Sequence, residues 1–153
     1  MKVLASLVLL ALVNYAYSTD VQSCQDLLLP EVTVTIDGTE CTTGPCVVGL
    51  GSNYSILISF DTPVKLERIK AKSVSTGSDG VSVTVVFEDD TCDGIQNTVC
   101  PVAAGGHVDY LYASVLAEEY SELNATMVVT LLDVDNDDTA VLCFSVDLTI
   151  DNS

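Results

Sequence analysis

Six cysteines, one histidine and 22 acids are the side chains with chemistry to offer in this chain of 153 residues. Cys41 and Cys46 enclose Thr42, Thr43, Gly44 and Pro45 in "ECTTGPC". That spacing is open to three readings: half of a metal site, a redox pair, or a disulfide. Structural zinc sites pair cysteines two to four residues apart and add a second such pair or two histidines. Here the second close pair, Cys92 and Cys100, is separated by seven residues, and His107 is the single histidine. A redox pair would carry C-x-x-C, which is absent. Disulfides are therefore expected, and no metal or other cofactor is.

The remaining chemistry is thin. His107, in "GGHVDY", has no G-x-S-x-G elbow to serve, and it reads as a turn or strand-start residue. "GLGSNY" fails the dinucleotide fingerprint G-x-G-x-x-G because its last position is Tyr54. A cysteine held in a disulfide cannot be a nucleophile, so the chain reads as a non-enzyme with no catalytic residue. "DVDNDD", residues 133–138, alternates acids as a calcium loop would. An EF-hand needs Gly at its sixth place and Glu at its twelfth, where this chain has Asp138 and Phe144; a hairpin turn is the better reading. Asn53-Tyr54-Ser55 and Asn124-Ala125-Thr126 are sequons for glycosylation at Asn53 and Asn124.

The compartment must suit these cysteines. "MKVLASLVLLALVNYAYS" has one cation, Lys2, an apolar run over residues 3–13, and small residues at Ala16 and Ser18. This predicts a secretory signal over residues 1–18, cut before Thr19, followed by one domain over 19–153. The alternative, an uncleaved anchor, needs about 20 apolar residues. Six cysteines in an oxidising compartment then suit three disulfides. Charge agrees with export: without Lys2 the chain has 22 acids against 4 bases, or −18. Such a surface repels nucleic acid and anionic headgroups and favours solubility. The four bases, Lys65, Arg68, Lys70 and Lys72, all fall in "VKLERIKAK". They suit a docking stripe or, better, a solvated or edge strand blunted with cations.

The elements that must position these groups are strands. "FSVDLTI" sets Phe144, Val146, Leu148 and Ile150 against Ser145, Asp147 and Thr149; "VSVTVVFE" and "YSILISF" alternate in the same way. Period two means half-buried strands with one wet face, which argues against disorder despite the acids. Further strands are expected over 32–36, 66–74, 108–116 and 125–132, between the turn signals "DGTE", "STGSDG", "PVAAGG" and "DNDD". Seven or eight such strands predict an all-β antiparallel β-sandwich.

The motif order "QSCQD", "CTTGPC", "GSNYSILISF", "CDGIQNTVCPV", "HVDYLY", "EEYSELNATMVVTLLD", "VLCFSV" resembles the ML lipid-recognition domain over nearly all of residues 19–153. It looks most like the soluble Niemann-Pick type C cholesterol-carrier branch and its arthropod relatives, which include the mite group 2 allergens. The resemblance implies an immunoglobulin-like sandwich with an internal apolar cavity holding one lipid between its sheets. It also implies disulfides Cys24–Cys143, Cys41–Cys46 and Cys92–Cys100, where sequence alone leaves about 15 pairings open.

Face parity and the resemblance together nominate the lipid-binding residues: Tyr54, Ile56, Ile58, Val83, Val85, Phe87, Leu116, Tyr120, Met127, Val129, Leu131, Phe144 and Val146. Val129 and Phe144 stand where the sterol-carrier branch has large aromatics, and Tyr120 matches a mouth position. Each of these residues would equally serve an ordinary solid core. The expected function is a secreted, monomeric carrier of a sterol or fatty acid, destined for the extracellular fluid or the lysosomal lumen, with a membrane-protein acceptor. Two alternatives stay open: an innate-immune module recognising lipid A, and an allergen-like secreted protein with no ligand. Lipid A is anionic, and four clustered bases on a chain of this charge make a poor phosphate clamp.

Overall fold

The computed structural model describes residues 18–24, 26–86, 91–118 and 122–152. Ten strands form two sheets, with no α-helix among the described residues. In chain order they are β1 (Gln22–Ser23), β2 (Glu31–Ile36), β3 (Thr39–Cys41), β4 (Cys46–Gly49), β5 (Asn53–Asp61), β6 (Ile69–Gly77), β7 (Ser82–Val86), β8 (His107–Val115), β9 (Leu123–Asp133) and β10 (Thr139–Asp151). The larger sheet runs β1-β10-β9-β6-β7, with β4 also on β10; the smaller runs β3-β2-β5-β8. Every pairing is antiparallel except β4 with β10. Three strands beyond the expected set, β1, β3 and β4, are only two to four residues long, too short for alternation to mark them.

Local chemistry sets the turns. Between β2 and β3, Asp37 and Gly38 both have positive φ, 46° and 83°; a two-residue hairpin loop of this kind follows the twist of its strands. Residues 133–138 make the turn between β9 and β10. Asp133 is buried there, and its side chain accepts the Asp135 N–H at 3.2 Å. This turn also takes up the basic cluster: Arg68 pairs with Asp135 at 2.6 Å and Lys70 pairs with Asp138, while Lys65 pairs with Glu67. β6 is an internal strand, hydrogen-bonded to both β7 and β9, so Lys70 and Lys72 do not guard an edge. They occupy its wet face.

Between the sheets lies one apolar core. Ile56, Ile58 and Phe60 of β5 and Val108 and Tyr110 of β8 meet Ile69 of β6, Val129 and Leu131 of β9, and Leu142, Phe144 and Val146 of β10. Three disulfides join Cys24 to Cys143, Cys41 to Cys46 and Cys92 to Cys100. The first ties the segment after β1 to the middle of β10. The other two close loops at the margins of the sheets.

Candidate functional site: a cavity between the sheets

Side-chain volume is not spread evenly between the sheets. Along the inward face of β6 the residues run Ile69, Ala71, Ser73, Ser75, Gly77. Their partners on β9 are Asp133, Leu131, Val129, Met127 and Ala125. Toward the Gly77 end the β6 row is reduced to serines and a glycine, and the β9 row ends in Ala125. Sheets in a sandwich stand about 10 Å apart and need interdigitating side chains to fill the gap, so the end with Ser, Gly and Ala is left open.

A cavity of about 430 Å³ occupies that end, within the usual range of roughly 300–1,000 Å³ for small-molecule sites. Its floor is Met127, Ala125 and Leu123 of β9 with Leu148 and Ile150 of β10. One wall is Tyr54 of β5 with Tyr112 and Ser114 of β8; the other is Ser73 and Ser75 of β6 with Val83 and Val85 of β7. β7 and β8 are the outer strands of their sheets. Val81, Val83 and Val85 keep 62%, 37% and 40% of their surface exposed, which places the mouth on that side. The lining is mainly apolar, with polar side chains from Tyr54, Tyr112 and Ser114 on one side and Ser73, Ser75 and Asp79 on the other. Tyr54 and Tyr112 meet edge to face, with hydroxyls 3.1 Å apart.

Of the residues nominated from sequence, Tyr54, Val83, Val85, Leu116 and Met127 line the cavity. Ile56, Ile58, Val129, Leu131, Phe144 and Val146 do face inward, yet they are 0–3% exposed and form the packed end rather than the cavity wall. Phe87 and Tyr120 lie outside the described residues. Sequence reasoning missed Ser73, Ser75, Gly77, Tyr112, Ser114 and Ala125. The signal for the first three was present in "IKAKSVSTG", whose alternate positions after Ile69 carry only Ala, Ser, Ser and Gly. Both sequon asparagines are exposed, Asn53 at the start of β5 and Asn124 near the start of β9.

His107 opens β8, at the opposite end of that strand from the cavity. Its Nδ1 lies 2.8 Å from Asp61 Oδ1 and its Nε2 lies 3.3 Å from Asp109 Oδ1. Ser59 donates its hydroxyl to Asp109 at 2.6 Å, not to the imidazole, so no base is set against a nucleophile. Among the described residues no three His, Cys, Asp or Glu side chains are placed to hold a metal ion. The hydrogen bond to Asp61, with charge attraction from Asp109 and Asp61, raises the His107 pKa above its ordinary 6.5.

A raised folded-state value contributes stability that is complete below the unfolded pKa and lost as pH rises through the folded one. The unfolding midpoint is therefore expected to fall slightly between about pH 6 and about pH 8, and His107→Gln should flatten that slope. An NMR titration of the ring giving a midpoint at or below the ordinary value would refute it. Asp135, held down by the hydrogen bond from Arg68, and Asp37, held down by hydrogen bonds from Ser52 and Asn53, have lowered values. Their contributions are complete above the ordinary carboxylate range and are lost as pH falls through it, so these three groups favour a fold that survives mild acid.

The comparisons with known proteins bear on the whole of this architecture. The ML domain family model matches residues 18–150. A Niemann-Pick type C2 protein from Japanese carpenter ant superposes with a TM-score of 0.64 at 17% identity, covering 85% of this chain and 98% of that one. The C-terminal domain of wzt superposes at 0.59 with 9% identity, covering 88% and 78%. At these identities the structures share the fold alone. No curated protein sequence matches significantly. With the family model spanning both sheets and all three disulfides, the chain belongs to the ML domain family, a lipid-binding family.

Proposed function

We propose that this chain is a secreted carrier that holds one sterol-like or fatty-acid-like lipid between its sheets and hands it to an acceptor chemically unchanged. The observation that carries this reading is the cavity of about 430 Å³, lined mainly by apolar side chains and open at one side. Burial supplies the affinity. Roughly 400 Å² of ligand surface at about 25 cal/mol/Å² sets a ceiling near 10 kcal/mol before ordering costs are subtracted. The signal-like residues 1–18, the disulfides and the two exposed sequons support an exported, glycosylated protein acting outside the cytosol. Catalysis has no part in it, since binding and release need only a wall of suitable shape.

Native mass spectrometry of the protein secreted from eukaryotic cells tests the proposal. The expected spectrum shows a chain beginning at Thr19, with sugar on Asn53 and Asn124, carrying one lipid-sized adduct that is lost on denaturation. A protein that emerges empty, and takes up no lipid from mixed sterol and phospholipid vesicles, would leave the carrier reading without support.

A further inference from the structure

Among the described residues, the cavity wall offers hydroxyls and no cation. Tyr54 and Tyr112 place their hydroxyls 3.1 Å apart on one side, and Ser73 and Ser75 of β6 line the other. Asp79, in the turn from β6 to β7, is the one acidic side chain in the lining among the described residues. The bases lie elsewhere. Lys70 and Lys72 alternate with Ala71 and Ser73 along β6 and so project from its opposite face, and Lys65, Arg68 and Lys70 are paired with Glu67, Asp135 and Asp138. The whole chain carries a net charge of −17.

Resting on the carrier reading, we infer that the cavity selects lipids whose polar group is an uncharged hydroxyl and discriminates against carboxylates and phosphates. A lipid hydroxyl can both donate to and accept from a pair of tyrosine hydroxyls, which have both capacities themselves. A carboxylate is an acceptor only. On entering, it must surrender water with no counter-ion in the wall, and an unpaired buried charge of that kind ordinarily neutralises or stays in solvent. Asp79 and the negative surface repel it further. The alkyl or ring portion contributes equally in either case, so discrimination falls on the polar group alone.

A matched pair of ligands isolates that group. Hexadecanol and hexadecanoate should be titrated, at neutral pH, into secreted protein loaded with a neutral naphthylamine fluorophore. Hexadecanol is expected to displace the fluorophore at a concentration at least about tenfold lower. Equal displacement, or displacement first by hexadecanoate, overturns the inference while leaving the carrier reading intact. Failure of both ligands, or of the fluorophore itself, overturns both. Val83→Lys adds a cation to the mouth at a position that keeps 37% of its surface exposed, and it should shift the ratio toward hexadecanoate by about tenfold. An unmoved ratio in a folded Val83→Lys protein also counts against the inference.

Discussion

Removing the Cys24–Cys143 disulfide, as Cys24→Ser with Cys143→Ala, is expected to cost about 5 kcal/mol of folding stability. Removing Cys41–Cys46 or Cys92–Cys100 should cost about half that or less. The ranking comes from loop closure. The first bond spans 119 residues of sequence, the others 5 and 8, and the freedom denied to the unfolded chain grows with the logarithm of that span. A domain of this size has roughly 5–15 kcal/mol in total, so the long bond accounts for a large share. Location adds to it. Cys143 is buried in β10, the strand that β9, β1 and β4 all join, and β1 has only two residues of its own to hold it there. Alanine at 143 avoids burying a new hydroxyl beside Thr130, which already contacts the Cys143 sulfur. Urea unfolding of the three double variants is the measurement. Equal losses would mean that the reduced chains keep enough residual structure to cancel the loop term.

How much of this was legible beforehand depends on which physical signal is asked. Face parity is local, because successive side chains on a strand point to opposite sides, and it set Tyr54, Ile56 and Ile58 of β5, Met127, Val129 and Leu131 of β9, and Phe144 and Val146 of β10 toward the space between the sheets. Depth along the strand is not local. Val129 and Met127 are two positions apart on β9 with the same parity, and what differs is the partner across the ladder on β10: the fully buried ring of Phe144 beside Val129, the smaller Val146 beside Met127. The sequence shows no register. Small polar residues compound the difficulty, because Ser73, Ser75 and Ser114 on an inward face read as a wet face when the strand is viewed alone. "VKLERIKAK" was legible in part: Lys70 and Lys72 lie on a wet face, as expected, but not on an edge. Cations on alternate positions are compatible with an edge strand, and only the pairing of β7 makes β6 internal. The order of the cysteines was readable, whereas their partnering needed the family resemblance.

Filling the cavity should separate binding from folding, and the contrast between two tryptophans shows how. Ser75→Trp projects an indole from β6 into open space beside Met127 and Val83. Lipid affinity is expected to fall at least about a hundredfold, roughly 2.7 kcal/mol, because the ring occupies volume that the ligand needs. Stability should stay within about 1 kcal/mol of the parent, since the insertion meets no packed neighbour and buries apolar surface of its own. Val129→Trp is the opposite case. Val129 is 3% exposed, in the packed end with Leu131, Leu142 and Phe144, so the added ring must displace close-packed atoms. That overpacking typically costs about 1–3 kcal/mol and rises with the size of the insertion. Fluorophore displacement and the urea midpoint, read on both proteins, decide the matter. If Val129→Trp abolished binding at unchanged stability, the open space would extend to the middle of β9 and the boundary drawn by side-chain volume would be misplaced. If Ser75→Trp lost stability and kept its ligand, the lipid would sit elsewhere, and the cavity at the Gly77 end would be a gap that closes when filled.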